Sequence, residues 1–197
     1  MLLTFLGTGT SFGVPVVGCG CGTCTSRDPR DQRTRSGALL ELPEGRLLVD
    51  APPELRLQLV RAGVDRVNAV WITHPHADHL HGIDDLRIFT TRFGGVLSTH
   101  VAREHAPVIR RRFSYIFNDE PPIPGTSRPR IELLPFDEGQ PVSILGAEVH
   151  PLAVPHGSMT VYGLRVGDLG YITDAKALPP PVLERLRGVR TSVSYTH

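Results

Sequence analysis

The alternation of apolar and polar positions along the chain predicts many short elements rather than a few long ones. Residues 2–6 are an apolar strand, followed by a turn through Gly7, Gly9 and Gly13 and an irregular loop through Pro15 and Gly18. Residues 38–42 and 46–50 read as a hairpin, with Pro43-Glu44-Gly45 at its turn. After Pro52-Pro53, Leu55, Leu59 and Val60 recur at helical spacing until Ala62-Gly63. Residues 67–73 form a buried strand that runs into His74-Pro75-His76-Ala77-Asp78-His79, and residues 82–89 begin the next helix. Further on, the pattern predicts a strand at 95–98, a helix over 101–113 broken near Pro107, and a proline-rich loop over 118–130. Strands at 141–151, 160–166 and 170–174 precede a final short helix over 181–187. Interspersed strands and helices, with hairpins as well as crossovers, make this a mixed α/β fold.

Composition changes this picture little. The 197 residues suit one domain over 1–197, with enough chain for a core that needs no disulfides. Lysine and arginine exceed aspartate and glutamate by one, which excludes a strongly basic surface and argues against nucleic acid as a partner. No apolar run reaches the ~18 residues of a membrane span, so no membrane association is expected. The start lacks a basic region and reads as a strand rather than a signal peptide, which places the chain in the cytoplasm. Arg110, Arg111 and Arg112 either contact phosphate or form a solvated helix face.

The chemistry concentrates behind the strand at 67–73. Alternation puts His74 and His76 on one side while the chain stays extended, and a turn at Ala77-Asp78 swings Asp78 and His79 toward a second point. Imidazole and carboxylate are good ligands for zinc, manganese, iron or nickel. All three cysteines fall in Cys19-Gly20-Cys21-Gly22-Thr23-Cys24. Such spacing in a reducing compartment favours thiolate metal ligands, with a redox pair or three unliganded thiols as the alternatives. Three sulfurs are one ligand short of a closed tetrahedral zinc site.

His-x-His-x-Asp-His after a buried strand resembles the metallo-β-lactamase fold superfamily. The resemblance implies an α/β fold of the αββα sandwich type, with Asp50 supporting the metal loop. It implies two divalent metal ions: His74, His76 and His156 at the first site, and Asp78 and His79 at the second, with Asp174 shared. Asp78 would also orient a hydroxide held between cations about 3.5–4 Å apart. The segment from Phe5-Leu6-Gly7-Thr8-Gly9 through Pro15 to the cysteines is similar to the PhnP-like branch, typified by a phosphoribosyl cyclic phosphodiesterase. That similarity implies a structural zinc on Cys19, Cys21, Cys24 and a C-terminal histidine.

The match breaks at the end of the chain, where 23 residues follow Asp174. The superfamily supplies a further apolar strand, a helix and a last histidine, whereas this chain has Arg190-Thr191-Ser192-Val193-Ser194-Tyr195-Thr196-His197. Either His197 stands in as a ligand, or a shortened C-terminus leaves both sites incomplete. An absent strand would expose a sheet edge, and a homodimer is the expected cover. The expected function is metal-dependent hydrolysis of a small phosphorylated substrate, a cyclic or linear phosphodiester. A lactone or thioester hydrolase, an RNA-processing nuclease and a degenerate metal-binding protein are the alternatives. Arg33, Arg35 and Arg110 to Arg112 are candidates to hold substrate charge, and His81, His150 and His197 to donate a proton.

Overall fold

The computed structural model describes residues 1–118 and 125–194. Two sheets face each other. The first contains β1 (Leu2–Gly7), β2 (Gly37–Leu42), β3 (Gly45–Val49), β4 (Ala69–Ile72), β5 (Leu97–Ala102) and β6 (Ile131–Phe136), in that order. The β1–β2–β3 part is antiparallel, and β3 to β6 are parallel. The second sheet holds β7 (Val142–Ile144), β8 (Ala147–His156), β9 (Met159–Val166), β10 (Leu169–Ile172) and β11 (Thr191–Ser194) in the order β11-β10-β9-β8-β7. It is antiparallel apart from the β10–β11 pair.

Strand periodicity explains the layering. Along β4, Ala69 and Trp71 face the second sheet and, beside Leu40, Leu47 and Val49 of their own sheet, pack with Val149, Tyr162, Leu164 and Tyr171 of the second. Val70 and Ile72 face the other way, onto α1 (Leu55–Arg61), α2 (Ala77–Leu80), α3 (Arg87–Phe93), α4 (Ala106–Arg112) and α5 (Ser114–Phe117) through Leu55, Leu59, Leu80, Phe89, Ile109 and Ile116. Both faces of β4 are therefore covered, and the strand carries an unbroken apolar run as parallel strands do. On the outer face of the second sheet, Leu152, Val154 and Ile172 pack against Val182 of α6 (Pro180–Arg185). The result is the expected αββα sandwich. Trp71 pins the sheets together by donating its indole N–H to the Tyr162 carbonyl at 2.8 Å and stacking on Phe136.

Four expectations need correction. The helix expected over 101–113 starts only at Ala106, because Val101 and Ala102 complete β5 beside Pro135 and Phe136. Strand β6, which the sequence pattern did not predict, lies between the proline-rich loop and β7. The expected strand over 141–151 is a hairpin that turns at Leu145-Gly146, and its second arm continues to His156. Most consequentially, Thr191–Ser194 forms a strand although its residues are mostly polar, pairing in parallel with β10 from Leu169↔Thr191 to Ile172↔Ser194. It pairs with β10 and so becomes the edge strand of the second sheet in its place. His197 lies outside the described residues.

Candidate metal centre

The ligand loop is built at the carboxyl ends of β3 and β4, the usual position for sites in parallel sheets. Asp50, directly after β3, takes a left-handed backbone (φ 65°) and donates its backbone N–H to the Trp71 carbonyl at 2.9 Å. Its carboxylate then accepts the Thr73 N–H at 2.8 Å and lies 2.7 Å from Nδ1 of His79. The loop is also tied to the chain after β3: Ala51 N–H donates to the His79 carbonyl at 2.7 Å, and Gly82 N–H to the Ala51 carbonyl at 2.8 Å. From the second sheet, His156 ends β8, while Asp174 follows β10 in a left-handed conformation (φ 52°).

These elements bring together six residues. One set comprises His74, His76, His156 and Asp174, and the other Asp78, His79 and Asp174; within each set the ligand atoms lie within 4.8 Å of one another. Asp174 Oδ2 is central, 3.5 Å from Nε2 of His74, 3.3 Å from Nε2 of His79 and 3.8 Å from Nε2 of His156. Ligand atoms ~2.1 Å from one tetrahedral cation stand roughly 3.4 Å apart, so these spacings suit a shared divalent ion. A further observation fits the same group. The buried Nε2 of His79 faces Asp78 at 3.4 Å and Asp174 at 3.3 Å without hydrogen-bond geometry to either.

The electrostatics also suit cation binding. Burial, reinforced by the charge of His79, holds His74 far below the ordinary histidine range. Burial and then His156 lower His76 as well. Both imidazoles are therefore neutral near pH 7, with a lone pair to offer. Burial alone would lower His79 too, but Asp50, Asp174 and Asp78 together raise it well above its usual value. Burial pushes Asp78 up, yet the neighbouring His79 leaves it below the ordinary carboxylate range.

The cysteines form a separate cluster, with their sulfurs within 4.8 Å of one another. Cys19 and Cys21 are exposed and Cys24 is partly buried, its sulfur accepting the Val16 N–H at 3.4 Å. The backbone N–H of Cys24, helped by the side chains of Cys19 and Cys24, lowers the Cys21 thiol to about 7. That favours thiolate character. Among the described residues no fourth donor joins this cluster.

Other sequence candidates divide by position. Arg35 pairs with Glu54 and donates to the Ser11 carbonyl, bracing the glycine-rich loop, while the Arg33 side chain donates to the Arg30 carbonyl and its backbone pairs with Val14. The same loop needs Gly7, where an added Cβ would lie 2.0 Å from the Arg35 carbonyl oxygen. His150 pairs with Glu148 at 2.8 Å, six residues before His156 along β8. At ~3.3 Å per residue that is about 20 Å from the ligands, too far for proton donation to a substrate held there. A cavity of about 890 Å³ beside His150, Met1 and Asp168 contains none of the ligand residues. His81 is exposed and set edge-on to Phe113 at 5.7 Å.

Sequence reasoning missed two features. One is a groove of about 540 Å³ lined by Pro75, Arg111, Arg112, His105, Ser158 and Thr160, adjoining His76 and His156 through the chain. Arg112 donates to the Pro75 carbonyl between two ligand histidines, while Arg110 lies over the Phe117 ring at 5.5 Å. The three arginines thus have distinct roles that their run in sequence did not reveal. The other is Thr73, a polar residue prolonging a wholly apolar strand and fully buried.

Comparison with known proteins agrees with this architecture. A family model described as a beta-lactamase superfamily domain matches residues 45–194. An octanoyltransferase of Porphyromonas gingivalis is 37% identical over 191 residues, covering 96% of this chain and 38% of that protein. A ribonuclease Z of Bradyrhizobium sp. is 30% identical over 142 residues, covering 68% of this chain and 44% of its own length. The chain thus spans about two fifths of the length of these curated relatives. The crystal structure of a diphosphatase from the PhnP family superposes with a TM-score of 0.86 at 33% identity, covering 96% of this chain and 71% of that one. Together, the sandwich, the converging histidines and carboxylates, and these likenesses show that the chain belongs to the metallo-β-lactamase superfamily, in its PhnP-like branch.

Proposed function

We propose that this chain is a metal-dependent hydrolase of small phosphodiesters. The observation that carries the reading is the pair of ligand sets meeting at Asp174 Oδ2, beside a groove that presents Arg111 and Arg112. Zinc is the favoured ion for the imidazole-rich first set, with manganese, iron or nickel as alternatives, and Cys19, Cys21 and Cys24 provide three ligands of a structural zinc site. Two bound cations would make a water nucleophilic near neutral pH and neutralise charge on phosphate oxygens.

The chain's own residues supply the rest. Asp174 holds the two ligand sets in register. Asp78, ionised and half-buried, orients the attacking water and accepts its proton. Arg111 binds an anionic part of the substrate in the groove, and Arg112 fixes Pro75 so that His74 and His76 keep their spacing. Two relatives support phosphorus–oxygen cleavage by name, one a diphosphatase and the other a ribonuclease. The chain covers only part of each, and its near-zero net charge favours small substrates over RNA. The octanoyltransferase match favours the second reading, hydrolysis of a lactone or thioester, because polarising a carbonyl requires the same site.

A panel of cyclic and linear phosphodiesters run against lactones and glutathione thioesters separates the two readings. Turnover of the phosphodiesters should fall by about 10²–10⁴-fold in Asp78→Ala. Turnover of the acyl substrates alone would replace this reading with the second. No turnover of either class would leave a metal-binding protein without hydrolase activity.

A further inference from the structure

The hydroxyl of Thr73 joins His74 of the first ligand set to Asp50, whose carboxylate contacts His79 of the second. Its Oγ1 is 3.0 Å and 2.9 Å from the two Asp50 carboxylate oxygens, 3.0 Å from Nδ1 of His74, and 3.4 Å from the hydroxyl of Thr173. A threonine hydroxyl has one proton to donate and two lone pairs to accept with. The Asp50 carboxylate can only accept, so the Thr73 proton goes to it. The lone pairs of Thr73 then accept the Thr173 hydroxyl and Nδ1–H of His74, which uses its full capacity. His74 must therefore carry its proton on Nδ1 and present the lone pair of Nε2 to Asp174 and His76.

We infer that Thr73 is a positioning residue for the first ligand set, fixing the tautomer and ring orientation of His74. Through Thr73, one carboxylate governs both sets: Asp50 acts on His79 directly at 2.7 Å and on His74 by way of the Thr73 hydroxyl. Thr73→Val keeps the shape and the backbone N–H that Asp50 accepts, yet leaves Nδ1–H of His74 without an acceptor. The consequence is selective. Losing the Thr73 hydroxyl weakens the cation at His74, His76 and His156 and spares the one at Asp78 and His79, whereas losing the Asp50 carboxylate weakens both.

The inference rests on the reading of these residues as metal ligands, and its test separates the two ideas. Stripped wild-type protein, Thr73→Val, Thr73→Ser and Asp50→Asn are titrated with zinc against a chromophoric chelator, and with cobalt by visible absorption. His156→Ala and Asp78→Ala serve as references for loss of the first and second sets. Thr73→Val should lose about 10–100-fold in affinity for one cation and titrate like His156→Ala. Thr73→Ser should return to within about threefold of wild type, and Asp50→Asn should weaken both cations. Equal binding by Thr73→Val and wild type, failure of Ser to rescue, or loss patterned on Asp78→Ala would overturn the role of Thr73. Wild type that takes up no cation outside the cysteines would overturn the site reading itself. Nitrogen-15 histidine spectra of the zinc-loaded wild type give an answer independent of how any variant folds. They should show His74 protonated on Nδ1, and protonation on Nε2 would refute the assignment.

Discussion

Gly82 closes the ligand loop back onto the chain beyond β3, and a Cβ built there would lie 2.1 Å from the Pro52 carbonyl oxygen and 2.9 Å from Cβ of Leu55. Backbone cannot give way as a flexible side-chain end can. Gly82→Ala should therefore destabilise the protein by about 2 kcal/mol, measured by urea unfolding, and shift the loop that carries Asp78 and His79. An unchanged midpoint would mean that the loop yields without strain. His100 makes a prediction of the opposite kind, because its cost appears only on titration. It is buried beside Trp71 in the register of β4 and β5, with no hydrogen-bond partner at Nδ1, and burial lowers its pKa to about 4. Below the unfolded value of about 6.5 the unfolded chain binds the proton first, so stability falls as pH drops from ~6.5 through 4. The loss is on the order of 3 kcal/mol at about 1.4 kcal/mol per unit. His100→Gln should flatten that part of the pH–stability curve, and an unaltered slope would assign the acid sensitivity to other groups.

The seven-residue helix α4 places three consecutive arginines in three different environments. Arg110 stacks on Phe117, Arg112 holds Pro75, and Arg111 lines the groove. Arg111→Ala should therefore raise KM about tenfold for anionic substrates with little change in kcat, an effect that weakens as salt is added. A fall in kcat alone would show that Arg111 acts on the reacting groups instead. Which elements were legible in the sequence follows from their surroundings. Strand β4 was, because both of its faces are buried and Val70-Trp71-Ile72 is a continuous apolar run. The His74 to His79 cluster was legible for the same reason, standing at the end of such a strand, whereas Asp50 was legible through the family resemblance. The boundary between β5 and α4 was not, since Val101 and Ala102 are apolar in either conformation. Strand β6 was hidden by Pro135, which an edge strand tolerates. Strand β11 was hidden because it is also an edge: only Val193 packs toward the core, so pairing with β10 and not apolar periodicity defines it. Thr73 and the groove were invisible for a different reason, as each depends on residues brought together from separate elements, Asp50 and Thr173 for the one and Pro155 and Thr160 for the other.

At the scale of the whole molecule, the two ligand sets lie across the seam between the sheets. His74 and His76 come from the end of β4 in the first sheet, and His156 and Asp174 from β8 and β10 in the second. Without cations the seam at this end is held by polar contacts, including Tyr162 N–H to the Thr73 carbonyl at 3.0 Å and Thr173 to Thr73 at 3.4 Å. It also gathers three buried or half-buried histidines against one shared carboxylate, with Asp50 and Asp174 both in left-handed backbone conformations. A cation held from both sides ties the sheets together and binds only the folded chain. Such linkage stabilises by about 2.7 kcal/mol when the free ion stands at a hundred times its dissociation constant. Metal-stripped protein should therefore melt several degrees lower than zinc-loaded protein in a calorimetric scan, with the difference growing as zinc is added. A zinc ion on the cysteine cluster would add its own increment, so the decisive comparison is with Asp174→Asn, which weakens both ligand sets and leaves the cysteines untouched. In that variant most of the zinc-dependent rise should vanish. If the rise persists, the stabilising ion is the one on Cys19, Cys21 and Cys24, and the seam between the sheets is held by its hydrogen bonds alone.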